Sequence, residues 1–314
     1  MTRTASLKAF AKLNLGLRVV AKRHDGYHEL RTIFQTSSLA DRLTVSFTPA
    51  RKTAITIGGT PEIQDNLVEK SCRMLLEKLK ISAVVTFQLK KNIPAGAGLG
   101  GGSSDAAAVL LSLPVLAGRQ VKPEILSELA AQLGSDVPFF LHGGTALGLG
   151  RGEELYPLPD APASKALLIA PAVHSSTAEA YRDLSARLTS DSIPNKLSSF
   201  QQLAWGELGS STGGTAPDND FEGVIFARHP ELAQIKRRLL RLGATYAAMT
   251  GSGSAIFGVF NDSERLLQAR KAFAGATVFA VSFVSRARYQ SSWMRALQPH
   301  VKGNEWVPQS LYAR

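Results

Sequence analysis

A glycine-rich segment constrains the fold of this chain more than any other feature. Five glycines fall within the seven positions 96–102. Before it, β-branched and aromatic residues at 84–89 predict a strand. After it, the residue types at 103–105 cap helices well, and they predict a helix from Asp105 to Leu116. The segment reads Pro94, Ala95, Gly96, Ala97, Gly98, Leu99, Gly100, Gly101, Gly102, Ser103, Ser104.

A loop of this kind, between a strand and a helix N-terminus, is suited to binding anions. Glycine allows close approach and positive φ, and successive N–H groups with the helix dipole attract negative charge. The segment is not a Walker A motif, because no Gly-Lys-Ser/Thr ends it, and it is denser in glycine than a Rossmann fingerprint. A flexible turn with a serine cap is the alternative, although such a turn rarely needs five glycines. We therefore predict a polyphosphate loop.

Composition limits the classes of protein that remain. The 314 residues suffice for one large or two medium domains. The formal charge of +11 favours anionic partners, but apart from 236–238 and the C-terminal tail the basic residues are scattered. We expect them to attract phosphorylated ligands rather than nucleic acid. The single cysteine, Cys72, excludes an internal disulfide, and no signal peptide or membrane span is evident. These features predict a cytoplasmic protein that does not bind a membrane.

The glycine segment resembles the phosphate loop of the GHMP kinases, which include galactokinase and the homoserine, mevalonate and phosphomevalonate kinases. Residues 11–17, 25–30, 134–140 and 249–255 resemble further motifs of that family, in the same order. The resemblance covers about 5–285. It implies an α+β, two-domain GHMP kinase fold. Residues 1–158 would form an N-terminal domain like ribosomal protein S5 and 159–288 a ferredoxin-like C-terminal domain. The order of the tail, 289–314, stays open.

The resemblance assigns catalytic roles to two residues. On its residue type alone, Lys12 would be an exposed lysine between two strands. Asp136 precedes an apolar run, where a carboxylate is either a helix cap or a group with a special task. The resemblance implies that Asp136 accepts the proton of an attacking hydroxyl and that Lys12 pairs with Asp136 and the transferring phosphoryl group.

A second group of residues is implied to hold the phosphoryl acceptor. An adjacent tyrosine and histidine are more often structural than ligand-binding. The resemblance instead implies that Tyr27 stacks on a cytosine, that His28 reads the edge of the base, and that Tyr181 is the opposing aromatic. Tyr181 in the core of a helix at 178–188 is the alternative. The implied acceptor-binding set is Asn14, Tyr27, His28, Thr177 and Tyr181.

The implied cofactors are ATP and Mg²⁺. Residues 94–104 would hold the phosphates, with Asn66 and Lys91 near the adenine. Without the resemblance, Asn66 is a helix cap and Lys91 an exposed lysine. The metal ligand stays open, with Ser104 and Asp105 as the possibilities. Residues 250–254 either close over the phosphates or form a tight turn.

The remaining pattern predicts how the chain is arranged. We expect strands at 6–10 and 15–20, a hairpin of 43–47 with 53–57, and a helix at 66–79 capped by Asp65. Residues 150–164 are predicted to be a linker and 206–220 a mobile loop. From 165 onward, alternating strands and helices predict the ferredoxin-like layer.

The implied activity is ATP-dependent phosphorylation of a small molecule, a cytidine diphosphate-linked polyol. The acceptor would be the 2-hydroxyl of 4-diphosphocytidyl-2-C-methyl-D-erythritol, in the non-mevalonate route to isoprenoid precursors, and the protein a monomer or weak dimer. Another GHMP kinase is one alternative, which the tyrosine–histidine pair argues against. A catalytically silent sensor would be expected to lack Asp136 or Lys12. An RNA-binding protein would need a basic and aromatic stripe on a sheet face, which the sequence does not show.

Overall fold

The computed structural model describes residues 1–59, 65–173, 175–185 and 219–301, and within them it forms two β-sheets with helices packed on their outer faces. The strands of the first sheet are β1 (Arg3–Lys22), β2 (His28–Pro49), β3 (Ala54–Gly58), β4 (Ala83–Lys90), β5 (Thr145–Leu149) and β6 (Glu154–Pro157). The helices of this half are α1 (Leu67–Leu79), α2 (Gly101–Ala117), α3 (Pro123–Leu133) and α4 (Phe139–His142). No described helix is long and apolar enough to cross a membrane.

The first sheet is built around the two long antiparallel strands β1 and β2. The order is β3-β4-β2-β5-β6, with β1 paired along β2. The β1–β2 register shifts between Phe10 and Lys12 and again between Asn14 and Gly16. At the first shift the backbone N–H of Lys12 donates to Leu99 O at 3.0 Å. The irregularity therefore turns this part of β1 toward the glycine segment, as bulges often do beside functional sites.

The second sheet has ferredoxin-like topology, as predicted. Its strands are β7 (Lys165–Ala170), β8 (Tyr246–Met249), β9 (Ile256–Phe260) and β10 (Thr277–Ser282), in the antiparallel order β10-β7-β9-β8. If the four strands of this half are numbered in chain order, the sheet order is 4-1-3-2, so the first and the last strand are neighbours. Its helices are α5 (Thr177–Ser185), α6 (Glu222–Arg228), α7 (Pro230–Arg241) and α8 (Ser263–Ala272).

A buried apolar layer joins the two sheets. Leu13 and Leu15 of β1 meet Leu168 and Phe257 of the second sheet there. Leu99 of the glycine segment belongs to the same layer. The alternation of alanine or leucine with glycine thus anchors the segment between the sheets, because burial of the apolar side chains contributes free energy that holds its backbone in place.

A helix that begins at the end of the predicted C-terminal domain returns to the first half. Helix α9 (Arg286–Leu297) is followed by a 3₁₀ turn at Gln298–His300. Tyr289, Trp293 and Leu297 are buried in the core of the first sheet. The first part of the tail, whose order the sequence left open, is therefore helical and packed; residues 302–314 lie outside the described residues.

Several local predictions were wrong. The predicted hairpin of 43–47 with 53–57 does not form, because β4 lies between β2 and β3, and β3 pairs with β4 in parallel. The strands predicted at 6–10 and 15–20 are parts of one strand. The predicted linker at 150–164 contains β6, which pairs with β5. Most of the predicted loop at 206–220 lies outside the described residues.

Two helix starts also differ from the prediction. Helix α2 begins at Gly101 rather than Asp105, after Gly100 in a left-handed conformation, and no side chain caps it. Helix α1 is capped by Asn66, whose side chain accepts from Val68 N at 3.0 Å, rather than by Asp65. In both cases the sequence had a good capping residue nearby, and the backbone used a different position.

Candidate active site

A cleft of about 1330 Å³ brings most of the predicted site residues together. It is bounded by the glycine segment, the middle of β1, the start of β2, one face of α5 along its whole length and the second glycine loop at 250–254. Of the predicted residues, those lining it are Lys12, Asn14, Tyr27, His28, Gly96, Gly98, Gly100, Ser103, Asp136, Thr177 and Tyr181.

The glycine segment presents its glycines to the cleft. Gly96, Gly98 and Gly100 all have positive φ. A Cβ on Gly100 would lie 2.9 Å from the ring of Phe140 and 3.1 Å from Lys12 Cγ. Side chains at all three positions would be strained, and at Gly98 and Gly100 they would also meet their neighbours, so glycine lets this backbone line the cleft.

Lys12 and Asp136 meet at the inner end of this loop. Lys12 Nζ lies 3.4 Å from Asp136 Oδ2, with side-chain exposures of 4% and 32%. Lys12 Nζ also donates to Asn14 Oδ1 at 2.6 Å. A buried ammonium needs such partners. Asp136 follows α3 and precedes α4, and its partial exposure leaves the carboxylate accessible from the cleft.

Asn14 has a fixed orientation beside this pair. Its Nδ2 donates to Thr32 Oγ1 at 2.7 Å, and Thr32 Oγ1 donates to Gly16 O at 2.8 Å. The carbonyl oxygen of Asn14 therefore faces Lys12. Asn14 is therefore a hydrogen-bond partner of Lys12, and the contact with the acceptor that the resemblance implied for Asn14 stays a prediction.

Tyr27 lies at the outer end of the cleft. Its ring is 52% exposed, and the guanidinium of Arg151 lies 4.7 Å from the ring centroid. Arg151 is held by Glu153, with Nε and Oε1 2.9 Å apart. A tyrosine supported in this way offers an aromatic surface at the cleft mouth.

His28 and Tyr181 form a second aromatic pair. Their rings stack with centroids 4.8 Å apart and planes inclined by 25°. Tyr181 also packs edge-on against Phe221. Burial lowers the pKa of His28, and the nearby Lys22 lowers it further. Here Tyr181 is both a cleft residue and partly a core residue, so the two interpretations left open by the sequence describe two faces of one side chain.

The predicted adenine-side residues do not line this cleft. Lys91 Nζ pairs with the carboxylate of Asp41 and lies 2.7 Å from Asp105 Oδ2. Burial lowers the pKa of Lys91, but the carboxylates of Asp105 and Asp41 together raise it by more, so the net shift is upward. Asn66 caps α1 as described. The prediction that Lys91 and Asn66 contact a nucleotide stays a prediction.

The second glycine loop closes the cleft from the side of the second sheet. Gly251, Ser252 and Gly253 line it. Thr177 Oγ1 lies 2.8 Å from Ser252 Oγ, and Ser175 Oγ donates to Ser252 O at 3.1 Å. The loop is thus connected to the start of α5, which carries the predicted acceptor-binding residues.

Sequence reasoning missed several residues of the cleft. Lys22, Arg151 and Arg182 contribute positive charge, and Thr32 and Phe34 contribute to its wall. The sequence contained no local signal for them, because scattered basic residues look alike until the fold assembles them. Only the overall excess of basic residues indicated that the protein binds an anionic ligand.

Among the described residues, no cluster of three or more histidine, cysteine, aspartate or glutamate side chains could hold a metal ion. Two buried oxygens at the start of α2, Ser104 Oγ and Asp105 Oδ1, have no hydrogen-bond partner. A hydroxyl and a carboxylate are oxygen ligands of the type Mg²⁺ accepts, and Mg²⁺ in kinases takes only one or two protein ligands beside the phosphates. The residues present therefore fit a phosphate-bound Mg²⁺ rather than a protein metal cage.

The family comparisons agree with this geometry. The model of the GHMP kinases N terminal domain matches residues 66–144, and that of the GHMP kinases C terminal domain matches residues 197–278. The first match includes the whole glycine segment and Asp136. The second includes the second glycine loop.

Similar proteins of known name span nearly the whole chain. A 4-diphosphocytidyl-2-C-methyl-D-erythritol kinase of Solibacter usitatus is 54% identical over 316 residues, covering 99% of this chain and 98% of the relative. A protein of the same name from Moorella thermoacetica is 42% identical over 262 residues, covering 82% of this chain and 91% of the relative.

Two solved structures are also similar to this chain. A crystal structure of 4-(cytidine 5'-diphospho)-2C-methyl-D-erythritol kinase matches with a TM-score of 0.72 and 37% identity, covering 90% of this chain and 99% of the other. A homoserine kinase from Cytophaga hutchinsonii matches with a TM-score of 0.65 at 21% identity, covering 90% and 96%. The second likeness concerns the fold alone.

Proposed function

The chain belongs to the 4-diphosphocytidyl-2-C-methyl-D-erythritol kinases of the GHMP kinase family, and from this premise we propose that it transfers the γ-phosphoryl group of ATP directly to the 2-hydroxyl of that cytidylated polyol. One observation carries the proposal. The Lys12–Asp136 pair lies in the same cleft as a glycine loop and an aromatic group formed by Tyr27, His28 and Tyr181.

The glycine loop holds the β- and γ-phosphates. Gly96, Gly98 and Gly100 let the backbone approach the phosphates, and α2 begins directly after Gly100. The N-terminus of a helix of this length carries partial positive charge. This arrangement supports binding of the triphosphate with its γ-phosphoryl group toward Lys12.

Asp136 acts as the general base. Its carboxylate takes the proton of the 2-hydroxyl as the oxygen forms a bond to the γ-phosphorus, and the bond from that phosphorus to the β–γ bridging oxygen breaks to release ADP. The ammonium of Lys12 lies 3.4 Å from Asp136 Oδ2, within reach of the hydroxyl that Asp136 activates. It also offsets the negative charge that spreads over the transferring group.

The aromatic end of the cleft recognises the cytidine. Tyr27 offers its ring as a stacking surface, and the imidazole of His28 offers a hydrogen-bonding edge. Base–aromatic stacking contributes on the order of 1–3 kcal/mol. The cations Lys22, Arg151 and Arg182 give this part of the cleft the charge that a diphosphate-linked acceptor requires.

Mg²⁺, when bound, would offset the negative charge of the phosphates. Ser104 is the residue best suited to hold it, because its hydroxyl is unpartnered and it lies in the first turn of the helix behind the phosphate loop. Asp105 is less suited, because one of its oxygens is already paired with Lys91.

A coupled ADP-release assay with ATP and Mg²⁺ tests the function. The acceptors are 4-diphosphocytidyl-2-C-methyl-D-erythritol, mevalonate, homoserine and galactose. We expect turnover with the first alone, since the others have no base for Tyr27 and His28 to bind. Methylerythritol phosphate without its cytidine is the matched control and should be a far poorer acceptor.

Turnover with mevalonate, homoserine or galactose at a comparable kcat/KM would contradict the acceptor assignment. Tight ATP binding without turnover of any acceptor would contradict the enzymatic proposal and favour a sensor.

A further inference from the structure

We propose that Thr250 is a positioning residue for phosphoryl transfer: its hydroxyl holds Asn14, and through Asn14 the ammonium of Lys12, in the orientation that the reaction uses. This inference rests on the proposed function, because it takes Lys12 to act on the transferring group. Neither the sequence motif nor the similarity to other kinases assigns this role to the residue.

Thr250 follows β8 and is fully buried. The backbone N–H of Asn14 donates to Thr250 Oγ1 at 3.1 Å. Thr250 Oγ1 lies 3.2 Å from Asn14 Oδ1 and 3.3 Å from Gly98 O. A hydroxyl has a single proton, so Thr250 accepts from the Asn14 backbone and donates to one of these two oxygens.

The Thr250 hydroxyl therefore lies against Asn14 Oδ1, the oxygen that accepts a hydrogen bond from the Lys12 ammonium. Asn14 Oδ1 accepts from Lys12 Nζ at 2.6 Å. The amide of Asn14 is held on its other side by Thr32, as described above. Asn14 is thus held at its backbone N–H by Thr250, at Nδ2 by Thr32 and at Oδ1 by Lys12, and the Thr250 hydroxyl also lies within hydrogen-bond distance of Oδ1.

Thr250 also joins the two glycine loops. A Cβ on Gly98 would overlap the carbonyl oxygen of Thr250, so the two loop backbones touch. Ala255 N donates to Ala97 O at 3.3 Å beside this contact. Lys12, the phosphate loop and the second glycine loop therefore share one junction, and a shift at Thr250 would reach all three.

The backbone around Thr250 has independent supports. Asn219 Nδ2 donates to Met249 O at 2.8 Å and to Gly251 O at 2.7 Å. Glu222 Oε1 accepts from Met249 N at 2.9 Å. Because these bonds hold the residues on either side of Thr250, removal of its hydroxyl should leave the loop in place and disturb Asn14 instead.

The test compares Thr250→Val, which keeps the shape and removes the hydroxyl, with Thr250→Ser, which keeps the hydroxyl. We expect Thr250→Ser to retain kcat within about threefold, and Thr250→Val to lose at least about tenfold in kcat. The KM values for ATP and the acceptor should change by less than about threefold in both variants, since the loop backbone is held by Asn219 and Glu222.

A second readout does not need activity. An amine-reactive reagent should modify Lys12 faster in Thr250→Val than in wild type, and at the wild-type rate in Thr250→Ser. Peptide mass spectrometry measures this rate. A purely structural role for Thr250 would change thermal stability without this difference between the two variants. If wild-type protein shows no turnover, the proposed function fails, and this labelling still decides the positioning role.

Asn14→Ala supplies the coupling control. In that background, Thr250→Val should have little further effect on kcat, because the group through which the hydroxyl acts is already absent. If Thr250→Val does not fold, Thr250→Cys, with a weaker hydrogen-bonding group of similar size, should give an intermediate kcat and labelling rate. The proposal is overturned if the variant without the hydroxyl matches Thr250→Ser in kcat and labelling, or if its effect adds fully to that of Asn14→Ala.

Discussion

The imidazole of His28 stacks on the phenol ring of Tyr181, with ring centroids 4.8 Å apart. His28 Nε2 lies 2.6 Å from Ser185 Oγ, one turn after Tyr181 on α5. Strand β2 and helix α5 are thereby joined across the outer cleft. A base that binds beside Tyr27 meets an imidazole whose orientation is set by these contacts.

Tyr181→Ala should weaken acceptor binding selectively. Loss of an aromatic group that supports a bound base costs on the order of 1–3 kcal/mol, so the acceptor KM should rise roughly tenfold or more. The KM for ATP should change little, because the ring of Tyr181 packs on His28 and Phe221 rather than on the phosphate loop. Steady-state kinetics with each substrate varied in turn provides the measurement.

Tyr156→Ala is the matched control, since this tyrosine is 51% exposed on β6 and does not line the cleft. It should leave both KM values unchanged. An equal rise in the two KM values of Tyr181→Ala would mean that the substitution disturbs the fold rather than the acceptor site.

The Asp41–Lys91–Asp105 cluster should make stability depend on pH. Burial raises the pKa of Asp105 to about 7, with the ammonium of Lys91 opposing the rise and the carboxylate of Asp41 adding to it. The folded protein then binds more protons than the unfolded chain between about pH 4 and pH 7, so the free energy of unfolding falls as pH rises through this window and levels off above it.

Denaturant unfolding from pH 4.5 to 8 measures the slope, and Asp105→Asn should reduce it. At about 1.4 kcal/mol per pKa unit, the wild-type change attributable to Asp105 is at most about 4 kcal/mol. A profile for Asp105→Asn that runs parallel to wild type across the window would show that Asp105 does not titrate there.

Some of the site was predictable from sequence because its residues belong to contiguous motifs. The glycine loop needed only local residue types, and Lys12 and Asp136, far apart in sequence, do meet. Asn66 was recognised as a possible cap, although the helix prediction placed the cap one residue earlier, at Asp65. The pairing of strands and the hydrogen bonds between distant elements were not predictable, because they depend on the whole fold.

Strand β3 illustrates the limit. The sequence predicted a hairpin of 43–47 with 53–57, yet β3 pairs in parallel with β4, and α1 lies between these two strands along the chain. Which strand pairs with an edge strand depends on how the whole sheet assembles, and no local pattern records that. Thr250 was missed for a similar reason: its hydroxyl matters only because β8 ends beside β1.

Gly143→Ala should destabilise the protein strongly. Gly143 has a φ of 66°, and an added Cβ would overlap the ring of Tyr289. The hydroxyl of Tyr289 donates to Phe140 O, so the ring cannot move away without losing that bond. Left-handed strain and overpacking together should lower the free energy of unfolding by at least about 2 kcal/mol.

Gly223→Ala is the comparison, because nothing lies within 4 Å of a Cβ built there and alanine favours a helix over glycine by about 1 kcal/mol. Chemical denaturation of both variants should give changes of opposite sign. Equal stability of Gly143→Ala and wild type would show that α9 does not pack firmly against α4.

Cys72 should be unreactive in the folded protein. It is fully buried in α1, and burial raises its pKa to about 12. Thiolate is the reactive form, so a thiol reagent should label the chain only after unfolding. Labelling against denaturant concentration should follow the unfolding transition seen by circular dichroism. Rapid labelling of one thiol per chain without denaturant would contradict the placement of α1.

Single-turnover transfer of the γ-phosphoryl group by wild type and by Asp136→Asn tests the central claim most directly. An asparagine keeps the size of the side chain but cannot take a proton, so the transfer rate should fall by roughly 10²–10⁴-fold. The dissociation constants for ATP and for the cytidylated acceptor should stay within about threefold of wild type, as only the base is removed. Asp65→Asn, at an exposed position outside the cleft, should behave as wild type. A transfer rate for Asp136→Asn within about tenfold of wild type, with both ligands bound, would contradict the assignment of Asp136 as the base.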